Sequence, residues 1–172
     1  SRTVLVTLNG EIYNHERLRS EMRGRGRQFH SSCDSEVVAN QVASSGLDSA
    51  LRHMQGMFGL AILEPEKRRC TLVRDRMGVK PLYWAQLPDG TLAWASEARS
   101  LLRHPEIDAT EDRRALQSLL LFEYIPTPRT IWANIHKLEP GTWMRFSLNG
   151  VQTFRWWTPP QTLSGRQGAF SR

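Results

Sequence analysis

Two cysteine side chains are the obvious candidates for nucleophilic chemistry in this chain of 172 residues. Cys33 stands directly before Asp34, and a neighbouring carboxylate disfavours the reactive thiolate. His30 is a nearby base, but one histidine is thin support for a Cys–His pair. Cys70 shares a predicted strand face with Leu72, which is typical of a core position. Both thiols are therefore predicted to be passive.

A polar run, Asn9-Gly10-Glu11, and the more distant Asp34 form a second group of candidates. By composition alone, Asn9-Gly10 predicts a turn that ends the preceding strand. Asp34 by the same standard predicts the N-cap of a helix. The local pattern therefore favours structural roles for these residues.

The elements that would position these residues alternate between strands and helices. Alternating or β-branched runs predict strands at residues 3–8, 28–30, 57–63, 70–73, 82–86, 91–95, 143–148 and 151–155. Helical spacing and caps predict helices after Asn14, from Asp34 or Ser35 with a break at Gly46, and at residues 97–102 and 111–122. Several antiparallel turns with helices between them predict an α+β fold of layered sheets and helices.

Composition narrows the class of protein. The fractions of 40% hydrophobic and 23% charged residues are those of a soluble globular domain, and no apolar run is long enough to span a bilayer. Two cysteines without metal-ligand spacing predict a reducing, cytoplasmic setting and no metal site. The net charge of +6 is densest at Arg17, Arg19, Arg23, Arg25 and Arg27. No aromatic residues interleave with them, so a solvated helix end is favoured over a nucleic-acid surface.

Several motifs in one order resemble a known family. The run Asn9-Gly10-Glu11-Ile12-Tyr13-Asn14 is similar to the N-G-E-I-Y-N element of class II glutamine amidotransferases, particularly glutamine-dependent asparagine synthetases. Further blocks that agree with that family lie at residues 33–37, 56–61, 74–84, 95–97, 124–128 and 137–141. The resemblance implies an αββα sandwich of the N-terminal-nucleophile hydrolase type, missing its first strands. It makes residues 1–157 a partial glutaminase domain and residues 158–172 a linker or frayed tail toward an absent synthetase domain.

The resemblance also assigns roles to the polar residues. Asn9 and Gly10 match the oxyanion hole, in which the amide side chain and the glycine N–H point at one oxygen. Glu11 and Asp34 match the carboxylates that bind the α-amino group of glutamine. Arg74 and Asp75 are expected to form a structural turn with an ion pair. Ser96 and Glu97 are expected to cap the following helix.

The family's nucleophile is an N-terminal cysteine upstream of the Asn-Gly pair, and this chain has only eight residues there. If residues 3–8 are a strand, Ser1 lies roughly 26 Å from Asn9, at ~3.3 Å per residue, which is too far for attack. The chain alone is therefore expected to be inactive. The run Ser44-Ser45-Gly46-Leu47-Asp48-Ser49 resembles the pyrophosphate loop of the synthetase domain, but helix-like residues precede it. It is predicted to be a turn between helices.

The implied function is release of ammonia from glutamine for ATP-dependent amidation of aspartate by the parent protein. The implied partners are glutamine and a C-terminal synthetase domain, and a homodimer stays open. ATP and Mg²⁺ belong to that second domain, and no cofactor, nucleic acid or membrane is expected for this chain. Two alternatives remain: a different acceptor of the ammonia, and a non-catalytic glutaminase-like binding module.

Overall fold

The computed structural model describes residues 3–160, along which strands and helices alternate. The strands are β1 Leu5–Ile12, β2 Gly56–Glu64, β3 Arg69–Arg74, β4 Tyr83–Gln86, β5 Leu92–Ala95, β6 His136–Lys137, β7 Thr142–Ser147 and β8 Gly150–Arg155. The helices are α1 His15–Gly24, α2 Asp34–Ser45, α3 Leu47–His53, α4 Ala98–Leu101 and α5 Arg113–Phe122, with a 3₁₀ turn at Pro65–Lys67.

The strands form two sheets in which neighbours run antiparallel. The first sheet has five strands in the order β1-β2-β3-β7-β8, and the second has three in the order β5-β4-β6. β1 therefore lies at one edge of the larger sheet, and β5 lies at one edge of the smaller one.

The alternation along β2 explains how the layers assemble. Phe58, Leu60 and Ile62 point to one face, where they share a core with α1, α2 and α3. Ala61 points to the other face and packs with residues of the second sheet. Because successive strand residues face opposite sides, one strand contributes to both interfaces. Full burial of a side chain such as Phe58 stabilises the fold by about 1.5–3 kcal/mol.

Two further clusters complete the layers. Leu72, Met144 and Phe146 of the larger sheet meet Trp84 and Trp94 of the smaller one. On the outer face of the smaller sheet, Ala85 packs with Leu101 and with the loop residues Ile107 and Ile135. The order is thus helices, sheet, sheet and an outer layer containing α4, which confirms the predicted αββα sandwich.

Two of the strand predictions were wrong. Residues 28–30 form no strand; Phe29 instead lies beneath the guanidinium groups of Arg19 and Arg23, at 5.6 and 5.7 Å. β1 does not end at Asn9-Gly10 but continues to Ile12, which pairs with Gly56. The extra pairing with β2 overrides the turn preference of an Asn-Gly pair.

The break between α2 and α3 was predicted correctly. Gly46 adopts a φ of +81°, a conformation that favours glycine, and its N–H donates to the carbonyl oxygen of Val42 at 3.1 Å. The Ser44–Ser49 run is therefore a helix–helix turn. Asp48 in this run accepts a hydrogen bond from the indole N–H of Trp143 at 3.2 Å.

α5 is capped but poorly covered. The Asp112 carboxylate accepts from the backbone N–H groups of Arg114 and Ala115, at 2.8 and 3.3 Å. Among the residues of α5, Ala115 is the one that is buried. The large apolar side chains that remain exposed here define the α5 face: Leu116, Leu119, Leu120, Leu121, Phe122 and Tyr124.

Neither a membrane-spanning helix nor a cluster of metal ligands is present among the described residues. Within residues 3–160, no helix has the length and apolar character needed to cross a membrane. The same stretch contains no group of three or more His, Cys, Asp or Glu side chains arranged to hold a metal ion. Residues 1 and 2 lie outside the described part of the chain, as do residues 161–172 of the predicted tail.

Candidate active site

Three of the four predicted site residues are consecutive on β1. Asn9, Gly10 and Glu11 are exposed and lie opposite Gly59, Phe58 and Met57 of β2, in that order. Since β1 is an edge strand of its sheet, its other side is not paired with a described strand. Backbone groups on that side are available to a ligand or to another segment.

Gly10 occupies a place that no other residue fits. Its φ is +141°, and an added Cβ would lie 2.0 Å from the Met57 carbonyl oxygen and 2.8 Å from the Phe58 Cα. Gly56 shows the reciprocal contact, because its Cβ would lie 2.1 Å from the Glu11 carbonyl oxygen. The two glycines allow β1 and β2 to approach closely beside the site.

The Asn9 side chain reaches across to the second sheet. Its amide nitrogen Nδ2 donates a hydrogen bond of 2.7 Å to the Ser96 hydroxyl, immediately after β5. A cavity of about 350 Å³ adjoins this contact. Its walls are both polar and apolar and are lined by these residues: Thr7, Leu8, Asn9, Gly59, Leu60, Ala61, Leu82, Trp94, Ala95 and Ser96.

Asp34 lies at the same corner. Its carboxylate oxygen Oδ2 accepts the backbone N–H of Ile12 at 3.0 Å, so the first residue of α2 is tied to the residue after Glu11. The helix N-cap position is Cys33 rather than Asp34. A carboxylate in the first turn is also favoured by the helix dipole. The structure thus brings all four predicted residues to one end of β1.

The turn after β1 is fastened by Asn14. This residue was expected to cap α1, but its side chain makes no capping hydrogen bond. Its amide instead donates to the His53 carbonyl at 2.9 Å and accepts from the Gln55 N–H at 3.0 Å. His53 is the last residue of α3 and Gln55 directly precedes β2, so Asn14 holds the end of β1 against the start of β2.

The strand opposite Gly10 is supported by Asp75. Its buried carboxylate accepts from four backbone N–H groups, at distances of 2.9 to 3.3 Å: those of Phe58, Met77, Val79 and Lys80. The Asp75 N–H in turn donates to the Phe58 carbonyl at 2.9 Å. This arrangement fixes the loop between β3 and β4 against the part of β2 that faces the site.

Arg74 contributes to the same loop through the main chain. Its guanidinium donates to the carbonyl oxygens of Gly78, Lys80 and Leu138 at 2.7 to 2.9 Å. Burial lowers the pKa of Arg74, and the negative charge of Asp75 opposes that shift. The predicted structural turn is present, but Arg74 and Asp75 bond to the backbone rather than to each other.

Ser96 and Asp75 have contacts that the sequence did not reveal. Ser96 was expected to cap α4, whereas the N-cap position is Glu97 and the Ser96 hydroxyl bonds to Asn9. Asp75 was predicted to lie in a turn, but its hydrogen bonds to Phe58 were not predicted. Both contacts join segments distant in sequence, and no local pattern reports such a pairing.

The two thiols differ in access. Cys33 is exposed, with its sulfur 2.8 Å from the Ser35 hydroxyl. Cys70 is half-buried in β3, and burial raises its pKa to about 11. Cys70 packs against the cluster between the sheets. Its reactivity is thus restricted both by access and by protonation.

We expect the exposed Cys33 thiol of the folded chain to react with Ellman's reagent at pH 8 faster than Cys70, which should react only after denaturation. At that pH roughly a thousandth of Cys70 is thiolate. The Cys33→Ser variant should lose the fast phase, and Cys70→Ser should keep it. A fast phase that survives in Cys33→Ser would contradict this assignment.

A family model and similar curated proteins point to the same family. Residues 1–157 match the family model described as a glutamine amidotransferase domain. Asparagine synthetase [glutamine-hydrolyzing] 3 of Bacillus subtilis (strain 168) is 33% identical over 156 residues, which are 90% of this chain and 25% of that protein. A putative asparagine synthetase [glutamine-hydrolyzing] of Mycobacterium tuberculosis (strain ATCC 25618 / H37Rv) is 37% identical over 148 residues, 84% of this chain and 22% of that protein. The chain thus spans about a quarter of the length of these relatives.

Solved structures show the same fold. A glutamine phosphoribosylpyrophosphate amidotransferase from B. subtilis, complexed with ADP and GMP, matches with a TM-score of 0.64 at 18% identity, covering 92% of this chain and 30% of that one. A glutamine aminotransferase class-II domain protein from Silicibacter pomeroyi matches with a TM-score of 0.56 at 12% identity, covering 90% of this chain and 68% of that one. The layered fold expected from the sequence is therefore also that of these two solved proteins.

Proposed function

We propose that this chain, which belongs to the glutamine amidotransferase domain family, binds glutamine and stabilises the oxyanion formed during hydrolysis of its side-chain amide. The observation that carries the proposal is the common location of four polar groups at one end of β1. Asn9, Gly10 and Glu11 are consecutive and exposed, and Asp34 is hydrogen-bonded to the next residue, Ile12.

The chemistry requires donors where negative charge develops. Attack of a thiolate on the glutamine carboxamide forms a carbon–sulfur bond and shifts the carbonyl π electrons onto oxygen. The side-chain N–H of Asn9 and the backbone N–H of Gly10 are suited to stabilise that oxygen. Collapse of the tetrahedral intermediate, with proton transfer to the leaving nitrogen, releases ammonia and leaves a thioester. Water then hydrolyses the thioester to glutamate and regenerates the thiol.

The carboxylates suit the other end of the substrate. The α-ammonium group of glutamine is positive, and Glu11 and Asp34 both carry negative charge near the end of β1. An opposite charge within about 4–6 Å attracts a ligand ammonium. We assign these two residues to recognition of glutamine rather than to bond cleavage.

The nucleophile is assigned to a cysteine of the parent protein that lies outside residues 1–172, since the two cysteines of this chain are Cys33 and Cys70. Cys33 belongs to the loop before α2 and bonds to Ser35, and Cys70 lies among the residues between the sheets. Neither lines the cavity beside Asn9 and Ser96. The chain alone is accordingly expected to release no ammonia from glutamine.

The ammonia would be used by a second domain. The relatives named asparagine synthetase are about four times longer than the matched region, which supports a parent protein with a synthetase domain. That domain would bind ATP, Mg²⁺ and aspartate. The exposed α5 face supports such a coupling, since apolar side chains of this size are usually covered in an assembled protein.

The test compares ammonia release by the full-length gene product and by its Asn9→Ala variant. Loss of one oxyanion donor should lower kcat about 100-fold, because the donor acts on charge present only in the transition state. The matched control is Asn134→Ala, an exposed asparagine in another loop, which should retain wild-type activity. Binding of glutamine without turnover by the unmodified gene product would favour the binding-module alternative. A folded Asn9→Ala protein with unchanged kcat would contradict the proposed oxyanion role.

A further inference from the structure

One side-chain contact joins the two sheets directly at the candidate site. The Asn9 amide on β1 donates to the Ser96 hydroxyl at 2.7 Å, although the two residues are 87 positions apart in the chain. β1 belongs to the five-stranded sheet, and Ser96 follows the edge strand of the three-stranded one. The hydrogen bond therefore crosses from one layer of the sandwich to the other.

Ser96 is well placed to act as a fixed anchor. The preceding residue, Ala95, pairs with Tyr83 in the ladder between β4 and β5. The following residue, Glu97, is the N-cap position of α4. Ser96 itself is half-buried and lines the cavity beside Asn9 together with Trp94. Its backbone is thus constrained on both sides.

The Asn9 side chain needs such an anchor. Asn9 is exposed on an edge strand, and the terminal torsion of an asparagine is broad and roughly two-fold. An amide nitrogen carries two N–H donors, so the bond to Ser96 uses one and leaves the other for a ligand. A donor already oriented before the reaction stabilises charge without a reorganisation cost.

We propose that Ser96 is a positioning residue that orients the Asn9 amide toward the oxyanion of the glutamine reaction. This inference rests on the proposed function of Asn9. The effect of Ser96 on the chemistry passes through Asn9, so removal of either partner should remove the same contribution to the rate.

The experiment is a double-mutant cycle on ammonia release by the full-length gene product. Ser96→Ala is expected to lower kcat about tenfold while KM for glutamine changes less than about twofold, because an oriented donor acts mainly in the transition state. Ser96→Thr keeps the hydroxyl and should restore most of kcat. In the Asn9→Ala background, Ser96→Ala should have no further effect. Ser100→Ala, an exposed serine in α4, is the control and should match the wild type.

The outcomes separate the two proposals. If Asn9→Ala reduces kcat and Ser96→Ala reduces it by the same factor with or without Asn9, the positioning role is wrong and the oxyanion role stands. A rise in kcat in Ser96→Ala would also overturn the positioning role, since it would mean that Ser96 competes with substrate for the amide. If Asn9→Ala retains full activity in a folded protein, the proposed function fails and the role of Ser96 fails with it.

Discussion

Replacement of Gly10 by alanine is expected to destabilise the folded chain by about 4 kcal/mol. The added Cβ would lie 2.0 Å from the Met57 carbonyl oxygen, and both atoms that must separate belong to paired strands. The φ of +141° adds conformational strain for any residue with a side chain. Urea denaturation followed by tryptophan fluorescence would measure the loss of stability.

The matched control for this change is Gly24→Ala. Gly24 is the last residue of α1, and a Cβ added there meets no atom within 4 Å. The free energy of unfolding of the Gly24→Ala variant should equal or slightly exceed that of the wild type, because alanine has a higher helix propensity than glycine. A Gly10→Ala chain as stable as Gly24→Ala would show that β1 and β2 do not approach as described. In the full-length gene product, Gly10→Ala should also lower ammonia release, since β1 carries Asn9.

Asp75→Asn is expected to cost about 3 kcal/mol of folding free energy. The carboxylate accepts from four backbone N–H groups in a buried turn, with two on each oxygen. Asparagine retains a single acceptor oxygen, and its amide N–H groups would face donors. Two buried N–H groups would then lack a partner, which is more costly than the loss of the bonds alone.

Asp89→Asn is the control for the chemistry of this substitution. Asp89 is exposed, and its carboxylate accepts from the Thr91 N–H at 2.8 Å in a hairpin turn. Asparagine is well tolerated in such turns, so the change should be within about 0.5 kcal/mol. Equal denaturation midpoints for Asp75→Asn and Asp89→Asn would contradict the supporting role of Asp75. The free energy of unfolding of Asp75→Asn should be well below that of the control and of the wild type.

The layered architecture could be predicted because its signals are local. The break at Gly46 needs only a glycine between two helical patterns. The predicted hairpin between β7 and β8 is present, although Gly150 already pairs with Ser147 and the turn is one residue earlier, at Leu148-Asn149. The apolar run from Leu60 to Leu63 in β2 is continuous, which indicates that both faces of the strand are covered. Such patterns require no knowledge of distant partners.

The site was harder to predict because its geometry is set by pairing between distant segments. Asn9-Gly10 has the composition of a turn, yet Phe58 and Gly59 across the ladder keep both residues in a strand. The bond from Asn9 to Ser96 depends on how two sheets are stacked, which no local spacing encodes. Resemblance to a family, rather than residue chemistry, supplied the expectation for Glu11 and Asp34.

The α5 face has a consequence for anyone who purifies this chain. Leu120 and Leu121 are each 76% exposed, and Phe122 and Tyr124 add aromatic surface beside them. Burial of exposed apolar surface is favourable, so copies of the chain should self-associate as the concentration rises. The net charge of +6 opposes this association by electrostatic repulsion. Added salt screens that repulsion and should promote precipitation. Dilute, low-salt buffers are therefore the conditions in which the chain should stay dispersed.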